Sequence, residues 1–213
     1  MMRTFTVTIE GMAPGLLQHR YDPTPQMAGT KAATVNKFSL SEWRNAVYST
    51  EDGQVYQPAV HIEQAISQAA KTERMKGQKT WMDWVRGNLL ISPDEIPHGL
   101  TLDHFETAEK AQQTSLGNAI VYRNERCAIH VARAIVGKAA VPRVRALIFP
   151  WTLTFNVHLR DVPFEMPEEV LSRIIENAGV FPGIGDYRPQ TKGKYGTFTL
   201  VELKKVTRQG EAR

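Results

Sequence analysis

Strict alternation of apolar and polar residues marks two stretches of the chain. In TFTVTIEG, Phe5, Val7 and Ile9 share one side, the period-2 pattern of a strand buried on one face. The clearer case is residues 151–160, where Trp151, Leu153, Phe155, Val157 and Leu159 alternate with Thr152, Thr154, Asn156, His158 and Arg160. Two other stretches carry helical spacing. Ile62, Ala65, Ile66 and Ala69 follow i, i+3, i+4, i+7 behind Pro58, which suits a first turn because its missing N–H would be unpaired there. In PEEVLSRIIENAG, Val170, Leu171, Ile174, Ile175 and Ala178 form one face, with Pro167, Glu168 and Glu169 at the start and Gly179 expected as a left-handed cap.

Turn residues order these elements. Gly11, Pro14 and Gly15 end the first strand, and Asp52-Gly53 predicts a tight hairpin. Residues 22–39 are small and polar, and predict a mobile excursion that a partner would order. The stretch 101–120 predicts loop with a short helix. Residues 127–160 predict a long antiparallel ribbon turning between Gly137 and Pro142, with Pro150 at an edge or bulge. The first half then reads strand (4–10), helix (58–73), strand (87–91). The second reads strand (145–159), helix (167–178), glycine-rich loop (179–196), strand (197–206). Two such units sharing one antiparallel sheet, with helices on a single face, predict an α+β fold of ferredoxin-like or RRM-like type. The expectation is one domain over 1–206 with an insertion at 22–39 and a disordered tail over 207–213.

Composition changes this picture little. With 42% hydrophobic and 23% charged residues the chain reads as globular. No apolar run approaches the roughly 18 to 20 residues of a membrane span, and MMRTFTVTIEG enters a strand without a secretory apolar region, so no membrane association and a cytoplasmic location are expected. Cys127 is the only cysteine, flanked by apolar residues; it reads as an inert packed thiol, and neither a disulfide nor a cysteine zinc site can form within one chain. A net charge of +4 permits a polyanionic partner without requiring one.

Charge distribution says more. From Lys110 to Arg160 there are eight cations and one acid, Glu125, an asymmetry that predicts a positive groove. A second cluster, Lys71, Arg74, Lys76, Lys79 and Arg86, has Trp81 and Trp84 among it; Trp81 could stack on bases, while Trp84 and Trp151 read as core. The segment GVFPGIGDYRPQTKGKYGTF combines Gly183, Gly185, Gly193 and Gly196 with Tyr187, Arg188, Lys192, Lys194 and Tyr195. Glycine lets another backbone approach, tyrosines offer stacking faces and cations offer phosphate contacts. No Gly-Lys-Ser/Thr follows and the segment leads into a strand, which rules out a phosphate-binding P-loop and a Rossmann turn.

Among the six histidines, His19 beside Arg20 and His158 on the polar side of its strand are the two that could serve as a general base; the others read as structural. No H-x-x-x-H pair occurs, and Asp83, Asp94, Glu95 and Asp103 form no recognisable metal pattern. No cofactor, metal or catalytic residue is assigned.

The order of strand, amphipathic helix, G-x-G with basic residues, aromatic-Gly and strand resembles the repeat-associated mysterious protein (RAMP) superfamily of CRISPR systems. Gly183, Gly185, Gly193 and Gly196, with Arg188, Lys192 and Lys194 between them, match its C-terminal glycine-rich loop. DGQVYQPAVHIEQAISQAAK is similar to the proline-led helix of subunits that coat guide RNA, with Ala59, Val60 and His61 where that family has small residues. The string from GMAPGLLQHR through GIGDYRP to KYGTF also looks like uncharacterised proteins of phages and mobile elements. The resemblance implies non-catalytic binding of single-stranded RNA or DNA, guide RNA foremost, by a repeated subunit of a homo-oligomeric or multi-subunit ribonucleoprotein with a thumb-like excursion. The contacts would come from Gly183, Gly185, Tyr187, Arg188, Lys192, Lys194 and Tyr195, with Lys71, Arg74, Lys76, Lys79, Arg143 and Arg145. The alternatives are a metal-independent endoribonuclease that processes guide RNA, and a phage structural or interaction protein that binds no nucleic acid.

Overall fold

The computed structural model describes residues 2–20, 39–75, 77, 79–136 and 139–207. The expected excursion at 22–39 therefore lies outside the described residues except for Ser39, and so do Lys76 and the tail beyond Thr207. In chain order the elements are strands β1 (Met2–Gly11) and β2 (Leu16–Gln18), helix α1 (Trp43–Ala46), strand β3 (Gln54–Pro58), helices α2 (Ala59–Ala69) and α3 (Met82–Asn88), strands β4 (Leu89–Ser92) and β5 (Glu95–Thr101), and helix α4 (Leu102–Glu109). The chain continues through β6 (Gln113–Leu116), β7 (Ala119–Arg123), β8 (Cys127–Val136), β9 (Ala139–Ile148), β10 (Thr152–Arg160), α5 (Glu168–Val180) and β11 (Phe198–Lys205).

The two alternating stretches of the sequence pair with each other. β1 runs antiparallel to β10 with Phe5 opposite Val157 and Val7 opposite Phe155, so the apolar sets of both strands fall on one face. β11 and β4 complete an antiparallel sheet in the order β11-β1-β10-β4. Ile62, Ala65, Ile66 and Ala69 of α2 and Leu171, Ile174, Ile175 and Ala178 of α5 are buried in the same core as Phe5, Val7, Ile9, Phe155 and Val157. Burying each of the larger side chains stabilises the fold by about 1.5–3 kcal/mol. The architecture is thus mixed α+β, with interleaved β1–α2–β4 and β10–α5–β11 units. The far end of this sheet is tied by Arg3, which donates to both carboxylate oxygens of Asp161 at 2.8 and 2.7 Å and to the Met166 carbonyl at 2.6 Å.

A second antiparallel sheet, in the order β2-β9-β8-β7-β6, accounts for much of what the sequence left irregular. The strand expected over 145–159 is two strands in different sheets. β9 ends at Ile148 and β10 begins at Thr152, with Pro150, which has no N–H to give a ladder, at the corner between them. α3 begins within residues 71–86, and 101–120 hold α4, β6 and the start of β7. Gly53 sits in a turn with φ +81°, as Asp52-Gly53 predicts, and β3 beyond it pairs with β5.

Gly179 is not a cap. α5 runs on to Val180, and a Cβ at Gly179 would lie 1.9 Å from the Phe198 carbonyl oxygen, so this glycine lets β11 press against the helix. Trp84 and Trp151 are in the core as expected; Trp81 joins them, packed edge-on to Trp84 at 5.5 Å, and is closed to bases. Cys127 is buried, and loss of hydration pushes its thiol up to about 11.

Candidate nucleic-acid cleft

The glycine-rich loop after α5 folds back onto the turn between β1 and β2. Gly183 N–H donates to the Ala178 carbonyl, Ile184 N–H to Gly196, Asp186 N–H to Leu17, and Gly196 N–H to Gly15, all at 2.8–2.9 Å. A Cβ at Gly193 would stand 1.7 Å from the Tyr187 carbonyl, and two more glycines combine such a close carbonyl with a left-handed φ. Gly185 has φ +76° and a Cβ there would stand 2.4 Å from the Leu17 carbonyl; Gly196 has φ +69° and a Cβ would stand 1.7 Å from the Ile184 carbonyl. Most of the loop's backbone donors are therefore engaged within the protein. Among the described residues, the N–H groups of Gly185, Arg188 and Lys194 have no partner.

Between this loop and α2 lies a cleft of about 320 Å³. Gly183, Ile184, Gly185, Asp186 and Arg188 form one wall, with Gln190. The other wall is one face of α2, where His61, Ala65 and Gln68 follow helical spacing with Gln64 beside them. Gln18, His19, Tyr48 and Gln57 close the remaining side. Arg188 is held in place: its Nη1 donates to the Gly185 carbonyl at 2.9 Å, and its Nε and Nη2 donate to Gln190 Oε1 at 3.3 and 3.1 Å.

A buried relay of amides fixes the state of His61. Gln18 Oε1 accepts the Tyr48 N–H at 3.0 Å, and Gln18 Nε2 donates to the Tyr56 carbonyl at 2.8 Å. Those two backbone groups orient the Gln18 carboxamide. The same Nε2 lies 3.4 Å from Gln57 Oε1, which leaves Gln57 Nε2 as the donor to His61 Nδ1 at 2.7 Å. His61 therefore carries its proton on Nε2. Burial, and then the charge of Arg188, hold its pKa below the ordinary value, so the ring is a neutral donor. The Tyr48 ring packs against it in a T-shaped arrangement, at 5.4 Å and 79°.

At the rim, His19 is lowered by partial burial of its ring and by Arg145 and Arg143, which together outweigh Asp186. Asp186 pairs with Arg145 and accepts the Tyr187 N–H at 2.8 Å; burial alone would raise this carboxyl, but the Arg145 guanidinium holds it below its usual range. Arg143 is exposed two residues from Arg145 on β9. The structure thus brings Gly183, Gly185 and Arg188 together with Arg145, and leaves Tyr187, Lys192 and Lys194 exposed on the outer side of the loop.

Tyr195 is a different case. It is buried, and its hydroxyl meets His130 Nε2 at 3.1 Å, so it offers no stacking face. Lys71, Arg74 and Lys79 are exposed beyond the C-terminal end of α2 and do not line the cleft. His158 lies on the open face of the first sheet, with Thr4 Oγ1 3.0 Å from Nδ1 and Ser92 Oγ 2.7 Å from Nε2. The histidine that sequence reasoning missed is His61. Its signal was its place three residues after Pro58, where the RAMP resemblance has a small residue.

Among the described residues no group of three or more His, Cys, Asp or Glu side chains could hold a metal ion, and no helix is long and apolar enough to cross a membrane. No family model matches the chain, and no curated protein matches its sequence.

Proposed function

We propose that this protein binds single-stranded nucleic acid, guide RNA by its resemblance to the RAMP superfamily, along the cleft between α2 and the glycine-rich loop. The observation that carries this reading is the immobilised guanidinium of Arg188, held in a concave wall beside the unpartnered Gly185 N–H. Arg143, Lys192 and Lys194 extend the positive surface outward, and phosphate contacts of this kind supply affinity without sequence information. The order β11-β1-β10-β4 with α2 and α5 on one face supports a ferredoxin-like scaffold for a single domain. In this reading the chain is a non-catalytic, repeating subunit of a CRISPR-type or phage ribonucleoprotein in the cytoplasm.

The test is fluorescence anisotropy with labelled single-stranded RNA and DNA across a salt series. Binding whose logarithm falls linearly with the logarithm of salt supports the proposal. Absence of binding to either strand at low salt overturns it and favours the phage structural reading.

One observation favours a second reading, the metal-independent endoribonuclease: His19 and His61 share the cleft with Arg188, and imidazoles beside a cation suit transesterification. Against it, the His61 nitrogen open to the cleft already holds a proton, so it cannot act there as a base. Turnover in EDTA, abolished by His19→Ala, would promote this reading over the first.

A further inference from the structure

The lining of the cleft is unlike that of a groove that only tracks phosphates. Among the described lining residues Arg188 is the one Lys or Arg, and the α2 wall presents neutral amides. The Gln64 and Gln68 side chains, one turn apart, have no hydrogen-bond partner among the described residues, although both face a concave wall. One turn before Gln64, His61 presents an Nε2–H whose direction is set by Gln57 on one nitrogen and by the Tyr48 ring packed at 79° to the imidazole. Carboxamides and fixed donors can contact phosphates, but a carboxamide, unlike a lysine or arginine, also carries the paired donor and acceptor that read a base edge.

We propose that the cleft takes one unstacked nucleotide and reads its base, with adenine preferred, through the carboxamides of Gln64 and Gln68 and the Nε2–H of His61. This rests on the strand-binding reading for how the nucleotide is delivered. Size fixes the number of units: a volume of about 320 Å³ is near the lower limit of roughly 300–1,000 Å³ for small-ligand sites, so it takes one nucleotide and no run of them. Edge chemistry fixes the base. A carboxamide pairs with a donor beside an acceptor, and adenine shows that arrangement on both its Watson–Crick edge (N6–H and N1) and its Hoogsteen edge (N6–H and N7). Guanine shows it on its Watson–Crick edge (O6 and N1–H) but has two acceptors on its Hoogsteen edge, and each pyrimidine offers it on its Watson–Crick edge alone, so adenine can be met from either of its two exposed edges. Arg188, across the cleft from α2, is left for the phosphate.

The experiment compares ten-residue oligomers of adenylate, uridylate and cytidylate by anisotropy at low salt, and follows the glutamine side-chain amides by NMR as adenosine 5′-monophosphate is added. The expected result is an adenylate affinity at least about fivefold above the other two, a preference erased in Q64A/Q68A. H61Q, which keeps a donor near the same place, retains the preference, and H61A weakens it. Equal affinity for the three oligomers, or a preference that survives Q64A/Q68A, overturns the inference and leaves strand binding intact. If the monophosphate shifts the Gln64 and Gln68 amides while no oligomer binds, base reading stands and strand binding falls. If neither happens, both fall.

Discussion

The open face of the first sheet and the cleft beside the second are both rich in polar side chains, and they use them in opposite ways. On the open face the polar groups satisfy one another across strands. Thr4 meets His158, Thr6 donates to Asn156 at 3.0 Å, and Thr8 and Thr154 share a bond at 3.1 Å. Beside the second sheet the Nδ1 atoms of His98 and His130 are buried and unpaired outside the cleft lining, and within the lining the exposed Gln64 and half-buried Gln68 side chains have no hydrogen-bond partner among the described residues. A polar surface that is paired internally has little to offer a ligand, whereas unpaired groups in a concave wall are a place for one. Polarity alone pointed the sequence reading to His158; pairing points to His61.

Acid should separate the two regions most strongly. Burial lowers His98 to about 3 and His130 to about 4, against about 6.5 in an unfolded chain. The unfolded state binds the more protons between those values, so stability is full above about pH 6.5 and falls with pH toward the folded values, by several kcal/mol near pH 4. Urea unfolding at pH 7 and 4.5 measures the loss. H98Q should flatten the slope and Thr154→Ala, which removes no titrating group, should leave it unchanged; an equal effect of the two would remove the contrast between the regions.

Next in size is the wall of the cleft. Gly196→Ala puts a Cβ on the Ile184 carbonyl in a left-handed conformation and should cost about 2–4 kcal/mol. Gly117→Ala, at φ +60° in the β6–β7 turn with nothing within 4 Å of its Cβ, bears only the backbone strain and should cost about 1 kcal/mol. Thermal unfolding of both distinguishes a glycine required by close approach from one required by a turn.

Arg188→Ala tests the cleft as a binding wall. It should weaken single-strand affinity about tenfold and reduce the salt slope by about 1, with little change in thermal stability, since its bonds to Gly185 and Gln190 are part-exposed. Unaltered affinity would mean that the strand runs elsewhere on the surface.

What could be read from the sequence follows the range of each interaction. β1, β10, α2 and α5 were legible because apolar periodicity records which face is buried, and one sheet face against two helices leaves a strong record. The split at Pro150 was not, because β9 and β10 carry continuous strand-like pattern and only the choice of partner, a long-range matter, sends them to different sheets. Gly179 misled because glycine after an apolar helix face suits a cap and a close packing contact alike; the carbonyl that decides between them, Phe198, is distant in sequence. At the site, the glycine-rich loop and Arg188 were visible as composition. Tyr195 was misread because flanking glycines suggest exposure, yet here they allow the chain to turn its ring inward against His130. The relay to His61 was invisible, since Gln18 and Gln57 acquire meaning only when β2 and β3 come together.

The smallest expected effect is on the open face. Thr154→Ala removes one exposed bond to Thr8 and should change stability by less than about 0.5 kcal/mol. His158→Ala removes two, to Thr4 and Ser92, and should cost about 1 kcal/mol. Neither should alter affinity for any single strand, because both groups are already engaged across strands and neither lines the cleft. Anisotropy on both variants, run beside Arg188→Ala, is the decisive comparison. Loss of binding on the threonine-lined face with none at the cleft would reverse the two roles, and would mean that a ligand exchanges its own hydrogen bonds for the cross-strand ladder of the sheet.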